Sequence, residues 1–208
     1  MYTLYWSPGS ASQTPHGVLE EAGVKYELRR VDLDAGGHQD AAYLKLNPNG
    51  KVPTLVVDNA DALFEGGAIS MFVADRHPEA KLAPAPGDKA RGHYYQWMTH
   101  LTNSLQPAML RFYYPDRVTT DPKGEEAVKK RALEEVATLW DRIDRHLKDN
   151  GPYLLGSQFS AADIFAHTLS TWESSCPGIR ERFPSVKRLA DLVAARPAMQ
   201  RVIKQNEG

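Results

Sequence analysis

Cysteine is almost absent from this 208-residue chain: Cys176 stands alone, which excludes an intrachain disulfide and gives no sign of an oxidising compartment. A charge excess of one sign is missing too. Lys and Arg total 25 against 26 Asp and Glu, a net charge of −1, so nothing points to nucleic acid or an anionic membrane as partner. No run of about twenty apolar residues could span a bilayer. The opening MYTLYWSPGS has no basic stretch leading into a long apolar one, so no secretory signal is expected and the expected location is the cytoplasm. Repeats and low-complexity tracts are lacking as well. What remains is an ordinary globular balance, 42% hydrophobic and 25% charged, over a length that suits one domain or two small ones.

The pattern changes character part-way along. Tyr2–Trp6 is short, aromatic and β-prone, and SPGS breaks it. A helix is predicted from about Gln13 to Ala22, with Val18, Leu19 and Ala22 on one face and Gly23 as its stop. A strand follows at Tyr26–Asp32, then a loop with Gly36 and Gly37 and a short helical segment around Asp40–Leu46. The turn NPNGKVP leads into the β-branched Thr54–Val57. Asn59–Asp61 turns the chain into Ala62–Phe64, and Gly66 and Gly67 precede the helix AISMFVADRH. The order is βαβαββα. HPEAKLAPAPGDK then reads as a linker. Beyond it the chain is helical, with one helix expected over Ala90–Phe112 and a long amphipathic one over Glu125–Lys148. The expected organisation is an α/β domain over 1–79, a linker over 80–88 and an all-α helical bundle over 89–208.

Four local features carry candidate chemistry. Val52-Pro53 opens a strand; a cis bond would turn the backbone of Val52 outward toward an extended peptide, while an ordinary trans proline is the commoner form for such a dipeptide. Glu65-Gly66-Gly67 precedes a helix, where free N–H groups suit a carboxylate and Glu65 suits an ammonium group; a solvated helix start is the plainer alternative. In Ser7-Pro8-Gly9-Ser10-Ala11-Ser12, a serine hydroxyl could hydrogen-bond a thiolate at a helix N-terminus, or Ser10 or Ser12 could simply cap the helix. Finally, Ser160 and Asp163 have capping-box spacing, flanked by Phe159 and Ile164 as a hydrophobic staple, and these are read as structural.

Taken in order, LYWSPGSASQTPH, NPNGKVPTLV, FEGGAIS, a proline-rich linker and FSAADIFA resemble the cytosolic glutathione transferase family over nearly the whole chain. The bacterial beta class is most similar, through the SPG start, Pro15-His16 and the Glu-Gly turn. The resemblance implies a thioredoxin-like first domain, a cis Pro53, and glutathione as co-substrate with no metal. Val52 and Pro53 would hold its cysteinyl part, and Glu65 with the Gly66 N–H its γ-glutamyl end. It further implies a homodimer and a small hydrophobic electrophile held by residues from Leu105–Tyr114, with Met109, Phe112, Tyr113 and Tyr114 as candidates; these could equally be core.

Two departures stand out. The class cysteine is here Ala11, so an enzyme–glutathione mixed disulfide at that residue is excluded, and Ser12, then Ser10, become the expected thiolate stabilisers. The class asparagine and histidine of the first long C-terminal helix align with Thr99 and Gln106. Three activities stay open on this reading: conjugation of glutathione to electrophiles, glutathione-dependent disulfide or peroxide reduction, and non-catalytic binding.

Overall fold

A computed structural model describes residues 1–58 and 60–206. Two compact units make up the chain: Met1–Pro86 together with Ala194–Gly208, and Gly87–Val193.

The first unit holds β1 (Tyr2–Trp6), α1 (Gln13–Glu21), β2 (Tyr26–Arg30), α2 (Ala41–Leu44), β3 (Thr54–Val57), β4 (Asp61–Phe64) and α3 (Gly66–Arg76). This is the expected βαβαββα order and the thioredoxin-like arrangement. The sheet order is β2-β1-β3-β4, with β1 and β2 parallel and the other pairs antiparallel. Central β1 is buried along most of its length, as an inner strand covered on both faces must be, and Leu4 opposite Leu55 has no exposed surface. Edge strand β2 instead carries Glu27, Arg29 and Arg30, charges that discourage pairing with another chain. Asn59, in the expected turn before β4, lies outside the described residues.

The end of the chain returns to the first unit, where α10 (Pro197–Asn206) packs on α1. Charge explains the return. Arg196 grips Glu21 in a two-pronged pair, Nε and Nη2 each 2.7 Å from a carboxylate oxygen, and Arg201 Nε lies 2.8 Å from Glu20. Glu20 also accepts from Tyr26 Oη at 2.5 Å, and Tyr26 Oη meets His16 Nε2 at 2.9 Å. Since the tyrosine gives its one hydrogen to Glu20, His16 donates from Nε2. Burial lowers the His16 pKa to about 4, which keeps the ring neutral.

The second unit contains α4 (Ala90–His100), a π-helical turn Leu101–Leu105, α5 (Gln106–Tyr113), α6 (Glu125–Asn150), α7 (Ala161–Ser170), α8 (Ile179–Arg182) and most of α9 (Pro184–Ala194). The single helix expected over Ala90–Phe112 is thus divided by a wider turn. Pro107 is the cause: it has no N–H to donate and its ring would collide with the carbonyl four residues back, so the helix loosens just before it. Helix α6 buries Ala132, Val136, Leu139, Trp140, Ile143 and Leu147 along one stripe, with Glu125 and Glu126 at its start and Lys148 at its end matching the helix dipole. Asp144, on the same helix, accepts from the N–H groups of Ser185 and Val186 at 2.7 and 3.0 Å and so caps α9. No helix among the described residues is long and apolar enough to cross a membrane.

Candidate active site

The segment between β1 and α1 folds its hydroxyls back on itself. Ser10 Oγ donates to the Ser7 carbonyl at 2.7 Å and lies 2.6 Å from Ser12 Oγ. Ser12 Oγ meets the same carbonyl at 3.1 Å and accepts the Ser7 N–H at 3.2 Å. Neither serine makes a side-chain cap to α1, although Ser12 stands in the capping position. Their depth differs. Ser12 has no exposed surface, whereas Ser10 and Ala11 are half-buried. The Ala11 N–H has no acceptor among the described residues.

The Val52-Pro53 bond is cis. Neither the N–H nor the C=O of Val52 is hydrogen-bonded to a described residue, since β3 begins its ladder at Thr54. On the far side of β4, Glu65 takes φ 71° and ψ 108°, a region that a non-glycine residue seldom enters. Such backbone costs about 1–3 kcal/mol and persists where the surroundings impose it. Glu65 is exposed, makes no side-chain bond to α3, and leads directly into Gly66 at the helix start. A Cβ at Gly66 would lie 3.5 Å from Pro53 Cγ and 3.7 Å from the Ala11 carbonyl, so three sequence-distant segments meet here. These are ordinary contacts: the glycine is not demanded by crowding. Ser70 Oγ closes the first turn of α3 on the Gly66 carbonyl at 2.7 Å.

The structure therefore brings Ala11, Pro53 and Gly66 together and pairs Ser10 with Ser12. Met109, Phe112 and Tyr113 belong to the second unit. Met109 has no exposed surface and is core there. Phe112 is half-buried and stacks edge-on with Tyr113 at 5.3 Å; Tyr113 is exposed and meets Trp172 at 6.1 Å. Thr99 is exposed in the last turn of α4, and half-buried Gln106 opens α5 on the other side of the π turn. Sequence reasoning missed Tyr43, Asn47 and Thr54, which are buried behind Val52. Their signal was the four-residue spacing of Tyr43 and Asn47, which puts both on one face of a short helical segment. Among the described residues no group of three or more His, Cys, Asp or Glu could hold a metal ion.

Comparison with known proteins finds the glutathione S-transferase N-terminal domain matched over residues 1–75 and the glutathione S-transferase C-terminal domain over 103–206. The chain belongs to the glutathione S-transferase family. It is 30% identical to YncG, an uncharacterised GST-like protein of Escherichia coli, over 100% of this chain and 99% of that protein. It is 28% identical to YfcG, a disulfide-bond oxidoreductase of the same species, over 95% of this chain and 92% of the relative. A glutathione transferase homologue from Sulfitobacter, crystallised with bound glutathione, superposes with a TM-score of 0.92 at 27% identity, covering 99% and 98% of the two chains.

Proposed function

We propose that this family member binds glutathione in its first unit and stabilises the thiolate for attack on a small apolar electrophile. The observation that carries the reading is the meeting of Ala11, Pro53 and Gly66 beside a Val52 backbone left without partners. Val52 pairs with the cysteinyl backbone of the ligand across Pro53. The Gly66 N–H, at the start of α3, receives its α-carboxylate, and the Glu65 carboxylate its ammonium group. Phe112 and Tyr113 offer apolar surface to the electrophile, while Met109 serves as core.

The depth of the two serines supports a division of labour that reverses the expected order. Half-buried Ser10 turns its hydrogen from Ser7 O to the sulfur, and buried Ser12 donates to Ser10 Oγ across 2.6 Å. The Ala11 N–H, without an acceptor among the described residues, adds a backbone donor. A free thiol titrates at about 8.5, and each unit by which these donors lower it favours the thiolate by about 1.4 kcal/mol. The test is the ultraviolet thiolate absorbance of bound glutathione against pH. Ser10→Ala is expected to raise the apparent pKa by about one unit and Ser12→Ala by less. If neither moves it, the serine assignment is wrong.

The likeness to a disulfide-bond oxidoreductase favours a second reading on the same donor site. Glutathione thiolate attacks a disulfide, one thiolate leaves, and a second glutathione resolves the mixed disulfide to oxidised glutathione. Turnover of an aryl halide against turnover of a small disulfide separates the two. Failure to bind millimolar glutathione in calorimetry would sink both. A homodimer is the expected assembly, checked by sedimentation.

A further inference from the structure

The buried side chains behind Val52 converge on one atom. The Lys51 carbonyl oxygen accepts from Tyr43 Oη at 2.7 Å and from Asn47 Nδ2 at 2.7 Å. Both donor groups also meet Thr54 Oγ1, at 2.9 and 3.2 Å respectively. Tyr43, Asn47 and Thr54 are only 5%, 2% and 0% exposed, so the donor side of these bonds is shielded from water, while the bonds to Lys51 are part-buried. Asn47 is itself held, its Oδ1 accepting the Asn49 N–H at 3.1 Å and its carbonyl the Gly50 N–H at 3.0 Å.

Donor counting sets the direction of each bond. Tyr43 has one hydroxyl hydrogen and gives it to Lys51, so the bond between Tyr43 and Thr54 is donated by the threonine. Asn47 Nδ2 has two hydrogens, one for Lys51 O and one for Thr54 Oγ1. Both lone pairs of the carbonyl are then occupied and no hydrogen in the ring is left over. The Lys51–Val52 peptide is trans, and its six atoms lie near one plane. The carbonyl of Lys51 and the N–H of Val52 are opposite edges of that plane, so a group that immobilises the oxygen also aims the N–H.

We propose that Tyr43 and Asn47, closed into a ring by Thr54, are positioning residues that aim the Val52 N–H at the cysteinyl backbone of bound glutathione. The inference rests on the glutathione-binding reading and extends it to side chains that do not touch the ligand. A donor fixed before binding spares the ordering that a mobile turn would need when the ligand arrives.

Tyr43→Phe removes one of the two donors and keeps the ring in the core. Calorimetry should show the Kd for glutathione raised about five- to tenfold, the worth of one hydrogen bond. The apparent pKa of the bound thiol should not move, because Ser10 and Ser12 are untouched. Tyr26→Phe deletes a hydroxyl engaged with His16 and Glu20 in the same unit, and serves as the control; it should lower Tm and leave the Kd within about twofold. Thr54→Val opens the ring without removing a donor from Lys51, and a rise of about two- to threefold in Kd keeps the question answerable if Tyr43→Phe does not fold. A wild-type protein that ignores millimolar glutathione removes the binding reading and this role together. If wild type binds but the folded Tyr43→Phe binds equally well, or Tyr26→Phe weakens binding as much, the positioning role alone is overturned.

Discussion

At the start of α7, Asp163 Oδ2 accepts the Ser160 N–H at 2.8 Å and the Ser160 hydroxyl at 3.0 Å, while Oδ1 reaches the Leu154 N–H at 2.8 Å. The two residues form a complete capping box with no exposed surface. At the start of α1, two serines stand in nearly the same relation to a helix, yet neither caps it and the Ala11 N–H between them has no acceptor among the described residues. The start of α3 is open as well, with Glu65 making no bond to it. A helix end closed by its own side chains has nothing to offer a ligand. One left open at the surface keeps donors and dipole available, and its residues answer to binding before stability. The capping box should therefore respond to substitution in unfolding experiments, and the open ends in ligand titrations.

The closed end gives the largest effect. Asp163→Ala strips the acceptor from two buried N–H groups and should cost about 3 kcal/mol in denaturant unfolding. A loss below about 1 kcal/mol would mean water or a neighbour replaces the carboxylate, and the box would not be the structural element that its geometry suggests.

The same residue enters the pH dependence. Burial pushes the Asp163 carboxyl up to about 7 despite its donors, and lowers His16 and His167 to about 4. Between about pH 4 and 6.5 the unfolded chain holds two protons that the folded histidines lack, and the folded Asp163 holds one that the unfolded chain lacks. The net is one proton taken up on unfolding, so stability should fall on acidification by about 1.4 kcal/mol per pH unit in that window. His100, also lowered by burial, adds in the same direction. In Asp163→Asn the opposing proton is gone, and the slope should steepen to about twice that figure. A flat profile from pH 6.5 to 4 would contradict the buried neutral histidines.

How much of this was legible beforehand follows the distance over which each feature is determined. The span of β3 and the capping box were readable because β-branched residues bounded by turns, and a serine three residues before an acid, are local patterns. The cis state of Pro53 was not readable from the dipeptide, since local energetics favour trans; only resemblance over the whole chain implied it. The π turn had a local signal in Pro107 that the helical period of the apolar residues masked. Nothing local could show that Arg196 returns to Glu21, 175 residues away, or that Tyr43, Asn47 and Thr54 share the Lys51 carbonyl. The burial of Ser12, on which the proposed division of labour between the serines rests, is likewise a tertiary fact.

At the open ends, the expected effects move to binding. Glu65→Gln keeps the side chain's shape and removes its charge, and should weaken glutathione by about tenfold or more while Tm stays put, because a charge-assisted bond is lost and no fold contact is. Unchanged affinity would remove Glu65 from the ammonium site.

Glu65→Gly has a small effect on the fold, opposite in sign to that of Asp163→Ala, and separates the two kinds of helix end most sharply. Glycine enters the φ 71° region without a Cβ penalty, so the substitution relieves backbone cost in the folded state. It also frees the unfolded chain, which offsets part of the gain. The expected balance is a rise of about 0.5–1 kcal/mol in unfolding free energy, together with the same loss of glutathione affinity as Glu65→Gln. At Ser160 or Asp163 no substitution should combine these signs, since stability and geometry there are the same bonds. A Glu65→Gly protein less stable than wild type would show that Glu65 supports the fold through contacts of its own. The open start of α3 would then be structural, like that of α7.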